Sequence, residues 1–182
     1  IVISVAGITG HLGDITRRHM SAHTIRNIAH FAGQNLWFFA LTVIPLAQVF
    51  ALEFTSPIWV LVLSPFVLGE RMTQTRALAA LLGFAGILIV ARPFGETVGL
   101  GVVTASLAAI CFAITIIFTK RLTRSEKITC ILFYLTVMQA VFGVLAAGYD
   151  GDIALPSALS LPWLVVIASG GLMAHFCLTT AL

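Results

Sequence analysis

The sequence predicts an all-α protein, a polytopic transmembrane helical bundle. Hydrophobic residues make up 59% of the 182-residue chain and charged residues only 9%, where a globular domain carries about 25% charged residues. The apolar residues gather into runs near the length of about 20 residues that a bilayer crossing needs. The basic residues collect in alternate connections between those runs, as cytoplasmic loops do.

Taken in order, residues 1–12 read as the tail of a span, followed by a polar loop at 13–27. The first span that can be placed covers 28–44, and Pro45 marks its end. The second covers 46–68. A charged break at 69–76 separates it from a third, small-residue span at 77–91, which is short unless Thr75 and Arg76 lend their stems. The turn-prone segment RPFGET at 92–97 is punctuated by Pro93 and Gly95. Further spans follow at 98–118, 128–148 and 161–182. The chain starts IVISVAG and stops LTTAL, both within apolar runs, so it reads as truncated at both ends.

Charge orients this map. The connections at 13–27, 69–76 and 119–127 hold every Lys and Arg except Arg92, while Glu96, Asp150 and Asp152 fall on the other side. The first set is expected in the cytoplasm, which makes the protein a multi-pass component of the cell inner membrane with the lipid bilayer as its solvent. Orientation also accounts for the net charge of +3. The basic clusters have no interleaved aromatic residues, so no nucleic-acid partner is expected. Cys111, Cys130 and Cys177 form no CxxC, and His11, His19 and His23 sit in a basic loop without a fixed ligand pattern. Neither a disulfide framework nor a metal site is therefore expected. There is no GxSxG, HExxH or P-loop, so neither hydrolase chemistry nor direct ATP coupling is indicated, and no cofactor is expected.

Polar groups inside the spans are the candidates for function. Glu53 stands out, because an ionisable residue in a bilayer costs about 2.5–3.5 kcal/mol near the centre and usually faces a cavity or a partner. Ser56, Val60 and Ser64 share its helical face. This face is either a cavity wall or the route by which Glu53 reaches the outer interface. His30, Gln34 and Trp37 or Phe38 form a stripe on the preceding helix, suited to binding a solute or to helix–helix hydrogen bonding. Pro57 and Pro65 each remove a backbone donor, so the Glu53 helix should bend or open. Such a break either frees carbonyls for a solute or is a fixed kink satisfied by nearby Ser and Thr. Gly83 and Gly86, with Ala79 and Ala80, provide a small-residue surface for close helix approach.

A faint repeat supports a common site. A shift of about 141 positions lays QNLWFFAL (34–41) over HFCLTTAL (175–182) and sets Gln34 against His175. On the charge map these helices run in opposite senses, as an inverted repeat with an odd number of helices requires.

These features come together in a resemblance. Pro45-Leu46-Ala47, Thr55-Ser56-Pro57, Gly69-Glu70-Arg71 and Gly83-Phe84-Ala85-Gly86, in this order and spacing, resemble the EamA-type transporters of the drug/metabolite transporter superfamily. The resemblance implies inverted five-helix repeats. Residues 1–93 would belong to the first (the end of helix 2 and helices 3–5), and residues 98–182 to the second (helices 6–8). It further implies a secondary transporter that moves a small metabolite by alternating access, with room for a homodimer, and no enzyme chemistry. Glu53 is then the charged contact of a central cavity, and Gln34, Trp37, Ser56 and His175 its polar or stacking contacts. The alternatives are a membrane-embedded enzyme, for which the scattered acids Asp14, Glu70 and Glu126 offer poor support, and a non-transporting scaffold.

Overall fold

The computed structural model describes residues 12–91, 99–149, 151 and 156–182. His11, the turn segment at 92–97 and the acids Asp150 and Asp152 lie outside them. The described residues contain no strand: a short 3-10 turn, Leu12–Asp14, precedes seven α-helices. These are α1 (Met20–Val43), α2 (Leu46–Glu53), α3 (Ser56–Leu68), α4 (Gln74–Ala91), α5 (Leu100–Thr123), α6 (Ile128–Ala147) and α7 (Leu161–Ala181). The stretch Leu46–Leu68, α5, α6 and α7 are each long and apolar enough to cross a membrane, and α4 is a shorter apolar helix. The chain is a multi-pass membrane protein with an all-helical fold.

Several boundaries differ from the sequence expectation: α4 begins at Gln74 instead of residue 77, and α5 continues to Thr123, past the expected end at residue 118. Helix α1 begins at Met20 instead of residue 28, so most of the expected polar loop is helical. Its polar residues bond within the helix and to neighbours: Thr24 Oγ1 donates to the Met20 carbonyl at 2.9 Å, and Asn27 Nδ2 to the His23 carbonyl at 2.8 Å. The expected single span at 46–68 is interrupted at Phe54 and Thr55, which separate α2 from α3. Pro57 causes the interruption. It has no N–H to offer the carbonyl of Glu53 four residues earlier. The Ser56 hydroxyl donates to that carbonyl instead, at 2.6 Å, and Thr55 Oγ1 takes the Leu52 carbonyl at 2.6 Å. The break is thus a kink closed by side-chain hydroxyls. Pro65, by contrast, lies within continuous α3.

Helix α3 ends at Gly69, whose φ of 67° is the left-handed conformation that glycine adopts without a Cβ penalty. Beyond it, Arg76 Nη1 meets Glu70 Oε2 at 3.4 Å.

The contacts divide the chain into two compact units, Ile28–Phe118 and the described residues through Asn27 together with Thr119–Leu182. In the Ile28–Phe118 unit, α4 packs on α2 and α3. Ala40, Val49 and Ala105 form a buried core against which Trp37, Leu41, Ile44 and Leu52 pack. Glycines bring α1 and α5 close together. A Cβ on Gly33 would stand 2.9 Å from the Phe112 ring, and one on Gly101 would stand 2.6 Å from Ile44 Cγ2. The expected small surface on α4 is not used in this way: a Cβ on Gly83 or Gly86 would meet nothing within 4 Å.

In the second unit α6 packs on α7. The start of α1 is bound into the same unit by polar contacts. Arg26 Nε donates to Thr119 Oγ1 at 2.6 Å, Gln139 Nε2 to the Asn27 carbonyl at 3.0 Å, and Asn27 Nδ2 also reaches Met138 Sδ at 3.4 Å.

Candidate functional site

Four of the five residues singled out from the sequence fall in the Ile28–Phe118 unit, and three of them touch. The Trp37 indole N–H donates to Glu53 Oε2 at 2.8 Å, and Ser56 Oγ donates to the Glu53 backbone carbonyl. Glu53 is the last residue of α2 and Ser56 the first of α3, so the kink itself carries the carboxylate to the indole. Phe50 lies edge-on to Trp37 with ring centroids 5.9 Å apart, and Phe38 at 5.4 Å. Glu53 and Trp37 are half-buried, whereas Ser56 is buried. A carboxylate held by one N–H keeps lone pairs for a further donor. Gln34, half-buried, precedes Trp37 by three residues and shares its face of α1. His175 belongs to the other unit, half-buried on α7.

The second unit contains a polar cluster that the sequence reading passed over. His23, Arg26 and Asn27 are 0%, 1% and 0% exposed. Both ring nitrogens of His23, Nη1 of Arg26 and Oδ1 of Asn27 are buried without a hydrogen-bond partner. These residues precede the expected span that starts at residue 28. Burial lowers His23 to about 4, with Glu126 opposing the shift and Arg26 and His19 adding to it, so the imidazole is neutral at pH 7. Burial also lowers Arg26 to about 10, which leaves it charged. The Tyr134 ring packs on His23 with centroids 4.5 Å apart.

Glu126 and Cys130 adjoin this group. Thr16 Oγ1 donates to both Glu126 oxygens at 2.8 and 3.0 Å, and the Thr16 backbone N–H points to Cys130 Sγ at 3.4 Å. A cavity of about 620 Å³ in the same unit is lined by Glu126, Arg124, Lys127, Asp14, Thr179 and Thr180, among others. It contains none of the five residues expected from sequence. Lys127 closes an ion pair with Asp14 at 2.7 Å.

A signal for the cluster was present in the sequence. His23, Arg26, His30, Gln34 and Trp37 recur every three or four residues and so continue one helical stripe. Counting Arg26 as a loop charge cut that stripe short.

Residues 3–92 match the model of the EamA-like transporter family. The chain is 32% identical over 163 residues to a riboflavin transporter of Brucella anthropi, covering 86% of this chain and 56% of that protein. It is 28% identical over 159 residues to an S-adenosylmethionine uptake transporter of Rickettsia conorii, covering 87% and 53%. A riboflavin transporter of Vibrio cholerae is 28% identical over 149 residues, with coverage of 81% and 49%. The chain spans about half the length of these curated relatives. No solved structure matches it significantly.

Proposed function

The chain belongs to the EamA-like transporter family, and we propose that its protein is a secondary transporter moving a small metabolite across the inner membrane by alternating access. In this reading residues 1–93 and 98–182 are portions of two inverted repeats, and the protein is a permease with no catalytic chemistry. The substrate class is taken from the relatives named for S-adenosylmethionine and riboflavin. Glu53 serves as the charged contact, and Gln34, Trp37, Ser56 and His175 as polar or stacking contacts.

The observation that carries this reading is the Trp37–Glu53 hydrogen bond at a helix break. A kinked span brings an ionisable group and an aromatic ring together within an apolar stretch, and such discontinuous helices are where secondary transporters build their sites. A carboxylate held there is available to a cationic or hydrogen-bond-donating solute or to a coupling proton.

The test is uptake into proteoliposomes by the full-length protein, with labelled S-adenosylmethionine and riboflavin as probes. Glu53→Gln is expected to lower flux about tenfold, the equivalent of about 1.4 kcal/mol, and to flatten its pH dependence. Unchanged flux and an unchanged pH profile would remove Glu53 from the mechanism. Absence of flux for a broad metabolite panel in the unaltered protein would favour a scaffold.

A further inference from the structure

We propose that His23, Glu126 and Cys130 form a binding site for a transition-metal dication, with Zn²⁺ the best match to their donor atoms. One ligating atom from each lies within 4.8 Å of the others, and all three residues are buried. They come from the start of α1, the α5–α6 connection and the first turn of α6, with His23 more than one hundred positions before the neighbouring pair Glu126 and Cys130. No local spacing ties His23 to the other two.

The donor set selects the metal. Imidazole nitrogen, carboxylate oxygen and thiolate sulfur together suit Zn²⁺, whereas Mg²⁺ and Ca²⁺ take oxygen alone. Three protein ligands with a fourth position for water or another group is an open tetrahedral arrangement. Charge also balances: the Glu126 carboxylate and a Cys130 thiolate neutralise a dication, while His23 contributes a neutral ring. On binding, Cys130 loses its S–H proton to solvent and a sulfur–metal bond forms, with no change in oxidation state.

Two features of the surroundings favour a metal over an ordinary hydrogen-bonded triad. His23 is fully buried yet neither ring nitrogen has a partner, so it does not donate to Glu126 as a triad would require. Thr16 braces the other two ligands, its hydroxyl on the carboxylate and its backbone N–H toward the sulfur. Outer contacts of this kind orient metal ligands. Tyr134 fixes the plane of the imidazole from one side. Glu126 also borders the 620 Å³ cavity, which gives an ion a way in. A bound metal would tie the first turn of α1 to the α5–α6 connection.

The test uses the full-length protein, stripped with chelator, in detergent. One Zn²⁺ per chain is expected, with X-ray absorption showing a single sulfur at about 2.3 Å and lighter atoms at about 2.0–2.2 Å. Cobalt should give a thiolate charge-transfer band that Cys130→Ser abolishes and Cys177→Ser leaves intact. Thr16→Val should weaken Zn²⁺ binding about tenfold, and His23→Ala or Glu126→Gln by more. A stripped protein that does not take up Zn²⁺, a sulfur-free shell, or a Cys130→Ser chain that binds as tightly as the unaltered one overturns the proposal. Binding is read without flux, so these outcomes are separate from those for transport.

Discussion

Glu53 and Glu126 are both carboxylates in a chain with few charges, and their surroundings differ in kind. Glu53 is half-buried, with an indole N–H on its side chain and a serine hydroxyl on its carbonyl, all supplied within one unit. Glu126 is 8% exposed and is met by Thr16, while the neighbouring His23 and Arg26 are buried more deeply with polar atoms left over. In the first arrangement none of the buried polar atoms of Trp37, Glu53 and Ser56 is left without a partner, while the carboxylate keeps acceptor capacity on its open side. The second contains more hydrogen-bonding capacity than the described residues satisfy, and buried polar groups in that condition cost free energy unless something else meets them.

The contrast predicts opposite signs for substitutions in the two units. Arg26 is a charged group 1% exposed, and no carboxylate among the described residues pairs with it. Arg26→Met should therefore raise the thermal unfolding midpoint in detergent, by about 2 kcal/mol in stability. A lowered midpoint would reveal a counter-ion and erase the contrast. Trp37→Phe removes the one donor to the Glu53 carboxylate among the described residues while keeping an aromatic ring beside Phe50. It should cost about 1.5 kcal/mol by the same measurement. No loss would mean that water replaces the indole N–H. Glu70→Gln provides the baseline. Its 3.4 Å partner Arg76 is 55% exposed, so the change should stay below about 0.5 kcal/mol.

How much of this was legible in the sequence varied with the physics involved. The helices behind the 46–68, 98–118, 128–148 and 161–182 runs were readable because lipid demands continuous apolar segments, and that demand is written residue by residue. Pro57 announced the break between α2 and α3, and its neighbours Thr55 and Ser56 announced how the freed carbonyls are met. The beginning of α1 was not readable from hydropathy; only the helical spacing of His23, Arg26 and His30 marked it, and the partners Thr119, Met138 and Gln139 come from elsewhere in the chain. The close approaches at Gly33 and Gly101 were likewise hidden: a glycine in sequence does not say what crosses it, and the more conspicuous Gly83 and Gly86 meet nothing nearby. The grouping of Glu126 and Cys130 with His23 depends wholly on tertiary structure.

The hydroxyl-closed kink also bears on how this span enters the bilayer. At 1.5 Å per residue, α2 with 8 residues and α3 with 13 reach only about 12 and 20 Å, so neither alone crosses a hydrocarbon core of about 30 Å. The insertion machinery must accept Leu46–Leu68 as one segment of 23 residues. Because Thr55 and Ser56 supply donors from within that segment, the bend can partition into lipid with the Leu52 and Glu53 carbonyls already covered. It does not have to wait for a neighbouring helix, and the kink can be present from the moment of membrane integration.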